Sequence, residues 1–397
     1  MTAAAPRREG HGLVIGKFYP FHSGHSHLIR EAERRSERVT VQVLGASVES
    51  IPLETRADWI RESHPAARVV AAMDDAPVDF GSDAAWREHL AVIESLLDGP
   101  VDTVYSCDAY GGELAQRLGA HWVRIDEGRR INPVSGTAIR ADPAALWHEL
   151  APAVRASLTP RVVVLGAEST GSTTLAEALA AHLGTLWVPE YGREHSEVRE
   201  GGLEAPWRSD EFDLIVDRQI ALEERALRRV PRPVLVCDTD VLATALWHER
   251  YVGTVAERLH RAADGHRPLL YVLTGDEIPF EQDGMRDGEH IRHDMQQRFR
   301  DVLAAQPVPW LEVRGDVPAR VQAAASALES LLAAHLSFAI PLEARPMDEQ
   351  RALQRAAAHG SAAHGAAAHE SATNGSATNR ADAHGAVGQT GEGDGRP

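Results

Sequence analysis

The chain has 397 residues, 43% of them hydrophobic, which is enough for two globular domains. Its formal charge of −17 argues against a general nucleic-acid-binding protein, because phosphate backbones require a basic face. Two cysteines are too few for a disulfide framework, and no apolar run approaches the ~18 residues of a membrane-spanning helix. Because the N-terminus also lacks the apolar core of a secretory signal peptide, these features predict a cytoplasmic protein.

The first part of the chain alternates short apolar strands with helical segments. Strands are predicted at 13–15, 39–44, 69–72 and 101–106, and helices at 27–37, 54–63 and 83–97. This alternation predicts an α/β class and a Rossmann-like, doubly wound parallel sheet. Ligands bind beyond the carboxyl ends of such strands, so the turn after the first strand and the segment 106–111 are expected at the ligand-binding edge.

A glycine- and histidine-rich turn follows the first strand. His22 and His25 flank Gly24 and can converge on one ligand, and Lys17 is the only lysine of the chain. A helix begins at this turn, and its N-terminal amides favour anions. The imidazoles could therefore stabilise charge on an α-phosphate and a departing pyrophosphate. Histidines with no function are the alternative, which the strand–turn–helix context disfavours. The residues assigned to a nucleotide here are Gly16, Lys17, Phe18, His22, Gly24 and His25, with Lys17, His22 and His25 as catalytic residues.

A second short motif lies at residues 135–140, with the sequence Ser-Gly-Thr-Ala-Ile-Arg. Ser135 and Thr137 offer hydroxyl groups, the turn opens a helix, and Arg140 can clamp a phosphate as a further catalytic residue. Alone, such a string is a helix cap in most proteins. Together with His-x-Gly-His it resembles the two-part signature of the nucleotidylyltransferase superfamily. A nucleoside monophosphate is already a charged nucleophile, so its attack on the α-phosphorus of ATP needs positioning and Mg²⁺, with no general base.

The second part of the chain starts another α/β unit after residues 158–160. Strands are predicted at 162–165, 234–237 and 269–273, and a closing helix at 317–336. The predicted organisation is an N-terminal extension (1–11), a nucleotidylyltransferase domain (12–157), a P-loop kinase domain (158–338) and a low-complexity tail (339–397). The tail is expected to be disordered because it has few large apolar residues.

A glycine-rich loop at 166–174 follows the first strand of the second unit. It has the glycines and hydroxyls of a Walker A motif, but Ser172 stands where the motif has lysine. The backbone amides can still cradle phosphates, and a loop that no longer turns over ATP is the alternative. An arginine could compensate, from Arg193 or from a predicted lid that carries Arg286 and Arg292. The loop residues assigned to ATP are Gly166, Ser169, Gly171, Ser172, Thr173 and Thr174, to which the lid adds Arg286 and Arg292.

Carboxylates follow two strands of this unit. Asp238 is predicted to bind Mg²⁺ together with Thr173, and Glu190 or Asp240 to act as a base or to bind a ribose. Helix N-capping is the alternative for both aspartates. Glu190 and Asp238 are therefore predicted as the catalytic residues of the second site.

A nucleotidylyltransferase unit followed by a P-loop kinase unit resembles the bifunctional NadR-type family. The resemblance implies that the second domain phosphorylates ribosylnicotinamide to nicotinamide mononucleotide and that the first adenylylates this product to NAD, each with ATP and Mg²⁺. The substrate contacts that the resemblance implies are Trp59, Trp86, Asp108, Tyr110, Tyr191, Arg193 and Asp240. For Trp59, ordinary core packing is an equal alternative to stacking on the nicotinamide ring.

Three other functions stay open from the sequence. In the first, the P-loop domain senses nucleotide without catalysing a reaction, and only the first domain is an enzyme. In the second, the first domain transfers the adenylyl group to an acceptor other than nicotinamide mononucleotide. A regulatory scaffold or transcription factor is the third. Some members of the family begin with a helix-turn-helix domain, and residues 1–11 are too short for one, so direct DNA binding is not expected. No membrane partner is expected either, and a homo-oligomer is left open.

Overall fold

The computed structural model describes residues 9–202, 204–282 and 289–358. It contains two five-stranded sheets, and the strand pairings within both are parallel. The predicted α/β class with two consecutive parallel sheets is confirmed. Within the described residues, no helix has the length and apolarity needed to cross a membrane.

The first sheet has the strand order β3-β2-β1-β4-β5. Its strands are β1 (Glu9–Gly16), β2 (Ser36–Gly45), β3 (Arg68–Met73), β4 (Thr103–Ser106) and β5 (His121–Arg124). The chain switches direction across the sheet between β1 and β4, which places the ends of these two strands at the crevice where such folds bind ligands. The helices of this part are α1 (Ser23–Arg35), α2 (Leu53–Ser63), α3 (Asp83–Ser95), α4 (Tyr110–Leu118), α5 (Gly136–Ala141) and α6 (Pro152–Leu158).

The second sheet has the order β10-β9-β6-β8-β7. Its strands are β6 (Arg161–Leu165), β7 (Trp187–Val188), β8 (Leu235–Asp238), β9 (Leu270–Thr274) and β10 (Trp310–Val313). The glycine-rich loop follows β6, and Asp238 ends the neighbouring strand β8, so both lie at one edge. The helices are α7 (Ser172–Leu183), α8 (Tyr191–Val198), α9 (Ser209–Leu227), α10 (Val241–Val252), α11 (Glu257–Gly265), α12 (Arg292–Ala305) and α13 (Val317–His335).

The buried strands agree with prediction better than the edge strands do. Residues 162–165, 234–237 and 269–273 are predicted, and β6, β8 and β9 lie within one residue of these bounds. The sequence analysis misses β5 and β10, whose side chains are mostly half-buried or exposed. A partly solvated edge strand mixes polar and apolar residues, so it lacks the apolar run of a central strand.

The described chain divides into two compact units. One contains both sheets and is made of residues up to 44, 51–71 and 97–338; the other is made of residues 45–50, 72–96 and the chain from 339 on. The domain boundaries at 157 and 338 stay a prediction. The predicted disorder from residue 339 is wrong for 347–358, which form a helix, because this segment still carries leucine and long charged side chains. Residues 359–397 of the predicted tail lie outside the described residues.

A continuous apolar core connects the segments around the two sheets within the larger unit. Val14 and Val41 of the first sheet and Leu235 of the second belong to the same cluster of buried residues. Trp147 is 1% exposed, and its Nε1 donates to the carbonyl of Val230 at 3.2 Å. Burying an aromatic ring of this size stabilises by about 2–3 kcal/mol, so Trp147 fixes this junction.

Candidate nucleotide sites

The predicted histidine motif lies at the N-terminus of α1. His22 is the N-cap residue, and its Nδ1 accepts a hydrogen bond from the backbone N–H of Gly24 at 3.2 Å. The ring of His25 stacks on that of His22 with centroids 3.7 Å apart. A side chain at Gly24 would meet the His22 ring at 3.1 Å and would displace it by a few tenths of an ångström, so glycine leaves room for the ring where it lies. The structure therefore brings the two predicted histidines onto one helix end.

Both imidazoles are held in the neutral form. Burial, with the nearby charges of Arg129 and Arg140, lowers the pKa of His22 to about 4. Burial and the His22 ring lower the pKa of His25 well below its usual range. Among the described residues, Nδ1 of His25 is buried without a hydrogen-bond partner. A neutral imidazole with a ring nitrogen that makes no hydrogen bond can donate one to a phosphate oxygen without the cost of burying a charge.

Aromatic side chains pack against the His22–His25 pair. Phe18 is buried in the left-handed region (φ 49°), and its ring contacts His25 edge-on at 4.9 Å. A side chain at Gly16 would meet the Phe18 ring at 3.2 Å. The backbone carbonyl of Lys17 accepts from Arg56 at 3.0 Å, and this fixes the turn. Phe18 therefore positions His25, and only its backbone remains for the predicted nucleotide contact.

The second predicted motif forms the helix α5 beside this turn. Ser135 caps the helix by accepting from the N–H of Ala138 at 3.1 Å. The guanidinium of Arg140 donates to the carbonyl of Tyr19 and, at 3.2 Å, to the hydroxyl of Thr137. Arg140 thus joins the two halves of the signature, and its charge acts on His22.

Arg129 is a residue that the sequence analysis misses. Its guanidinium lies 3.3 Å from Asp108, and its charge contributes to the lowered pKa of both histidines. It lies in a loop turned by Asp126, which accepts from the N–H groups of Ile131 and Asn132, both at 2.8 Å. No motif marks this loop, so only the tertiary structure reveals the extra cation.

The other substrate residues predicted in this half of the chain are mostly packed. Tyr110 donates its hydroxyl to the carbonyl of Ile15 at 3.1 Å, which ties α4 to β1. Trp59 is 3% exposed in the core, and Trp86 is 5% exposed with its indole N–H donating to the carbonyl of Phe80 at 3.1 Å. Both indoles are buried, so the structure shows core packing for both. Stacking on a nicotinamide ring stays a prediction. Asp108 is exposed at the end of β4, on the crevice.

The glycine-rich loop between β6 and α7 has the shape of a phosphate cradle. Gly171 caps α7 in the left-handed region (φ 82°), where only glycine is unstrained. A side chain at Gly166 would lie 2.3 Å from the Thr274 hydroxyl. Thr170 donates to the carbonyl of Ala167 at 2.7 Å. With α7 starting at Ser172, its first amides, among them those of Thr173 and Thr174, point into the cradle.

Buried polar groups brace the loop from its outer side. Arg292 donates to the carbonyl of Ser169 at 2.9 Å, and Arg320 donates to that of Thr170 at 2.7 Å. Gln296 accepts from the N–H of Ala167 at 3.1 Å. Arg292 is 6% exposed and bound to the loop backbone, which it braces, and its contact with ATP stays a prediction. The predicted lid residue Arg286 lies outside the described residues.

Asp238 and Thr173 form the predicted magnesium-side pair. The Thr173 hydroxyl donates to Oδ2 of Asp238 at 2.6 Å, and Asp238 is 2% exposed. Within the described residues, no group of three or more His, Cys, Asp or Glu could hold a metal. Mg²⁺ takes one or two protein oxygens plus substrate phosphates and water, and this hydroxyl–carboxylate pair at the loop fits that requirement.

Glu190 lies across from Asp238. It precedes α8, and its side chain makes no capping hydrogen bond. Burial, reinforced by the negative charge of Asp238, raises the pKa of Glu190 to about 8, although Arg193 opposes this shift. Burial also raises the pKa of Asp238. Two carboxylates that share a dehydrated edge in this way are typical of a site for acid–base chemistry.

A cavity of about 210 Å³ extends from the glycine-rich loop past these carboxylates. Glu190, Arg193 and Asp238 line one part of it. Another part is an aromatic wall that the sequence analysis misses, because its members lie on two separate stretches of the chain, 207–212 and 247–251. The wall consists of Trp207, Phe212, Trp247 and Tyr251. Arg193 is the only lysine or arginine among the lining residues that the structure describes.

Two predicted substrate residues do not belong to this cavity. Asp240 is 1% exposed and caps α10, accepting from the N–H of Ala243 at 3.0 Å and from the Tyr271 hydroxyl at 2.8 Å. Asp240 thus makes the helix-capping contact that is the alternative for this aspartate, and its role as a base or ribose ligand stays a prediction. Tyr191 packs against the apolar cluster that contains Phe212 of the aromatic wall, but it is absent from the lining of the cavity.

An ion pair links the loop to the aromatic wall. Glu168 accepts from Arg250 at 2.9 Å, and Arg250 lies over the ring of Tyr251 at 4.5 Å from its centroid. Both charged side chains are largely buried. Arg250 is bound to Glu168 and does not line the cavity, whereas Arg193 does.

Comparisons with known proteins agree with this geometry. A family described as AAA domain matches residues 161–320. The Trifunctional NAD biosynthesis/regulator protein NadR of Escherichia coli is 24% identical over 323 residues, covering 76% of this chain and 78% of that protein. The nicotinamide-nucleotide adenylyltransferase of Aeropyrum pernix is 33% identical over 155 residues, covering 36% of this chain and 87% of that protein. The chain belongs to the nicotinamide-nucleotide adenylyltransferase family.

This family membership confirms the resemblance that the two-part signature predicts. A crystal structure of NadR protein in complex with NR has the same fold, with a TM-score of 0.62 at 21% identity over 83% of this chain and 98% of that one. The predicted NadR-type arrangement is thereby confirmed, and the chain is a nucleotide-binding transferase of NAD biosynthesis with a second, kinase-like P-loop fold.

Proposed function

We propose that the protein makes NAD in two ATP-dependent steps. The second sheet phosphorylates ribosylnicotinamide to nicotinamide mononucleotide, and the first transfers an adenylyl group from ATP to that product, releasing pyrophosphate. The observation that supports the pair of reactions is the presence of two helix N-termini that each follow a parallel strand, one beside neutral histidines and one beside the carboxylates Asp238 and Glu190.

The histidine site suits adenylyl transfer. The phosphate of the mononucleotide attacks the α-phosphorus of ATP, and the bond to the β-phosphate oxygen breaks. His22 and His25 are neutral donors at the start of α1, and Arg140 joins the helix α5 to the same turn. These groups can stabilise charge on the α-phosphate and on pyrophosphate, and since the nucleophile is already ionised, no carboxylate base is required.

The carboxylate site suits transfer to a hydroxyl group. The ribose hydroxyl must lose a proton as it attacks the γ-phosphorus, and ADP leaves. Glu190 lines the same cavity as the glycine-rich loop and the aromatic wall, so its ionised form is placed to accept that proton, and its pKa of about 8 makes phosphorylation faster as pH rises towards 8. The wall supports recognition of a flat heteroaromatic ring such as nicotinamide, by stacking and burial of apolar area.

Arg193 is the cation that we assign to the phosphates in place of lysine. It lines the cavity beside the glycine-rich loop, whereas Arg250, Arg292 and Arg320 do not line it. Thr173 and Asp238 would hold Mg²⁺, which when bound supplies charge neutralisation on the β- and γ-phosphates.

The test is product analysis of the purified full-length protein. Incubation with ATP and ribosylnicotinamide should give nicotinamide mononucleotide, ADP and then NAD, and incubation with ATP and nicotinamide mononucleotide should give NAD and pyrophosphate. Absence of product from the first mixture, with NAD from the second, would leave a transferase whose P-loop domain only senses nucleotide, an alternative that Ser172 favours. Product from nicotinate mononucleotide or pantetheine phosphate in preference to nicotinamide mononucleotide would change the acceptor.

A further inference from the structure

A buried polar network lies behind Glu190, on the side away from the cavity. Gln219 of α9 is 1% exposed, and its Oε1 accepts from the backbone N–H of Tyr191 at 3.0 Å. This N–H belongs to the first turn of α8, where the helix itself supplies no acceptor. Glu190 immediately precedes it, so the hydrogen bond fixes the backbone that carries the Glu190 side chain.

The orientation of the Gln219 amide is set by its second partner. Nε2 of Gln219 donates to Oε1 of Glu223 at 3.3 Å, one helical turn along α9. Glu223 is fully buried, and its Oε2 is bound by Arg161 at 2.7 Å and by Nε2 of His266 at 2.9 Å. A carboxylate only accepts hydrogen bonds and a backbone N–H only donates them, so the amide can satisfy both neighbours in one orientation alone.

We infer that Gln219 is a positioning residue of the kinase site and that Glu223 orients it. The chain of contacts runs from Arg161, at the start of β6, through Glu223 and Gln219 to the backbone N–H of Tyr191. Because the glycine-rich loop follows the other end of β6, the network ties Glu190 and the phosphate cradle to the same strand. This inference rests on the proposed phosphorylation reaction.

The first variant removes the acceptor and keeps the shape of the side chain. Gln219→Met should lower kcat for phosphorylation of ribosylnicotinamide about 10–100-fold, because displacing a reacting group by about 1 Å has an effect of this size. The KM for ribosylnicotinamide should change little, since Gln219 does not line the cavity. Adenylyl transfer by the same molecules should be unchanged and reports on folding. Gln322→Met, on the exposed face of α13, is the matched control.

The second experiment exchanges the two polar groups. Glu223→Gln alone sets an amide against an amide, and Gln219→Glu alone sets two carboxylates side by side, so both single variants should lose phosphorylation activity. The double variant Gln219→Glu with Glu223→Gln restores an acceptor for the Tyr191 N–H and an acceptor for Arg161, and should recover most of kcat. The inference is overturned if Gln219→Met retains wild-type kcat or if the double variant is no better than the single ones. Failure of the proposed function is distinct, because the wild-type protein would then make no nicotinamide mononucleotide.

Discussion

The two nucleotide sites of this protein differ in the charge that surrounds the phosphates. At the first site two buried histidines are neutral, and the positive charges of Arg129, beside both, and of Arg140, beside His22, help to lower their pKa values. At the second site burial, reinforced by the negative charge of Asp238, raises the pKa of Glu190. The acceptors explain the difference: a mononucleotide phosphate arrives ionised and needs only positive groups, whereas a ribose hydroxyl needs a base. The sites resemble each other only in offering a helix N-terminus after a parallel strand.

Removal of the proposed base should give the largest loss of activity, and the loss should be confined to phosphorylation. Glu190→Gln keeps the shape of the side chain but cannot accept the hydroxyl proton, so kcat for phosphorylation should fall about 10²–10⁴-fold. Initial rates of nicotinamide mononucleotide formation measure this, with adenylyl transfer in the same preparation as the control. Loss of both activities would show that the sites are not independent.

Removal of a histidine should give the reverse pattern. His25→Ala deletes a neutral donor at the α-phosphate, for which a loss of about 10²–10³-fold in adenylyl transfer is typical. Phosphorylation of ribosylnicotinamide should stay at the wild-type rate. His27→Ala, on the same helix and outside the proposed machinery, is the matched control. A wild-type rate of NAD formation in His25→Ala would remove this histidine from the mechanism.

The altered Walker motif allows a rescue experiment, for which the expected effect is smaller. Arg193→Ala should lower kcat/KM for ATP in phosphorylation about 10–100-fold, since a hydrogen bond to a charged group contributes about 1.5–3 kcal/mol. Adding Ser172→Lys to this variant should recover most of the loss, because it restores the charge from the loop. Steady-state kinetics with varied ATP measure both effects. If Ser172→Lys has no effect in the Arg193→Ala background, Arg193 does not replace the lysine.

The neutral histidines also predict how stability depends on pH. The pKa of His22 is about 4 in the folded protein and 6.5 in the unfolded one. The unfolded state therefore binds more protons below pH 6.5, and stability falls as pH decreases from 6.5 towards 4. Between pH 7 and pH 5 this contributes a loss of about 2 kcal/mol. Urea unfolding should show that His22→Asn loses about that much less than wild type, and an equal loss in both would contradict the lowered pKa.

The sequence by itself determined the motifs and the central strands. A strand, a glycine turn and a helix are local in sequence, so the residues 22–25, 135–140 and 166–174 can be recognised without a fold. Long apolar runs identify β6, β8 and β9 because both faces of these strands are buried.

The tertiary structure alone decided which side chains meet. It brings Arg129 to the histidines, directs Arg292 to a loop carbonyl, buries Asp240 as a helix cap and gathers the aromatic wall from separate segments. Each of these depends on contacts between residues far apart in the chain, and on competition between a ligand and a buried backbone group for the same polar side chain. Local sequence does not predict which partner the side chain binds, because that depends on burial and on the distance to the alternative partner.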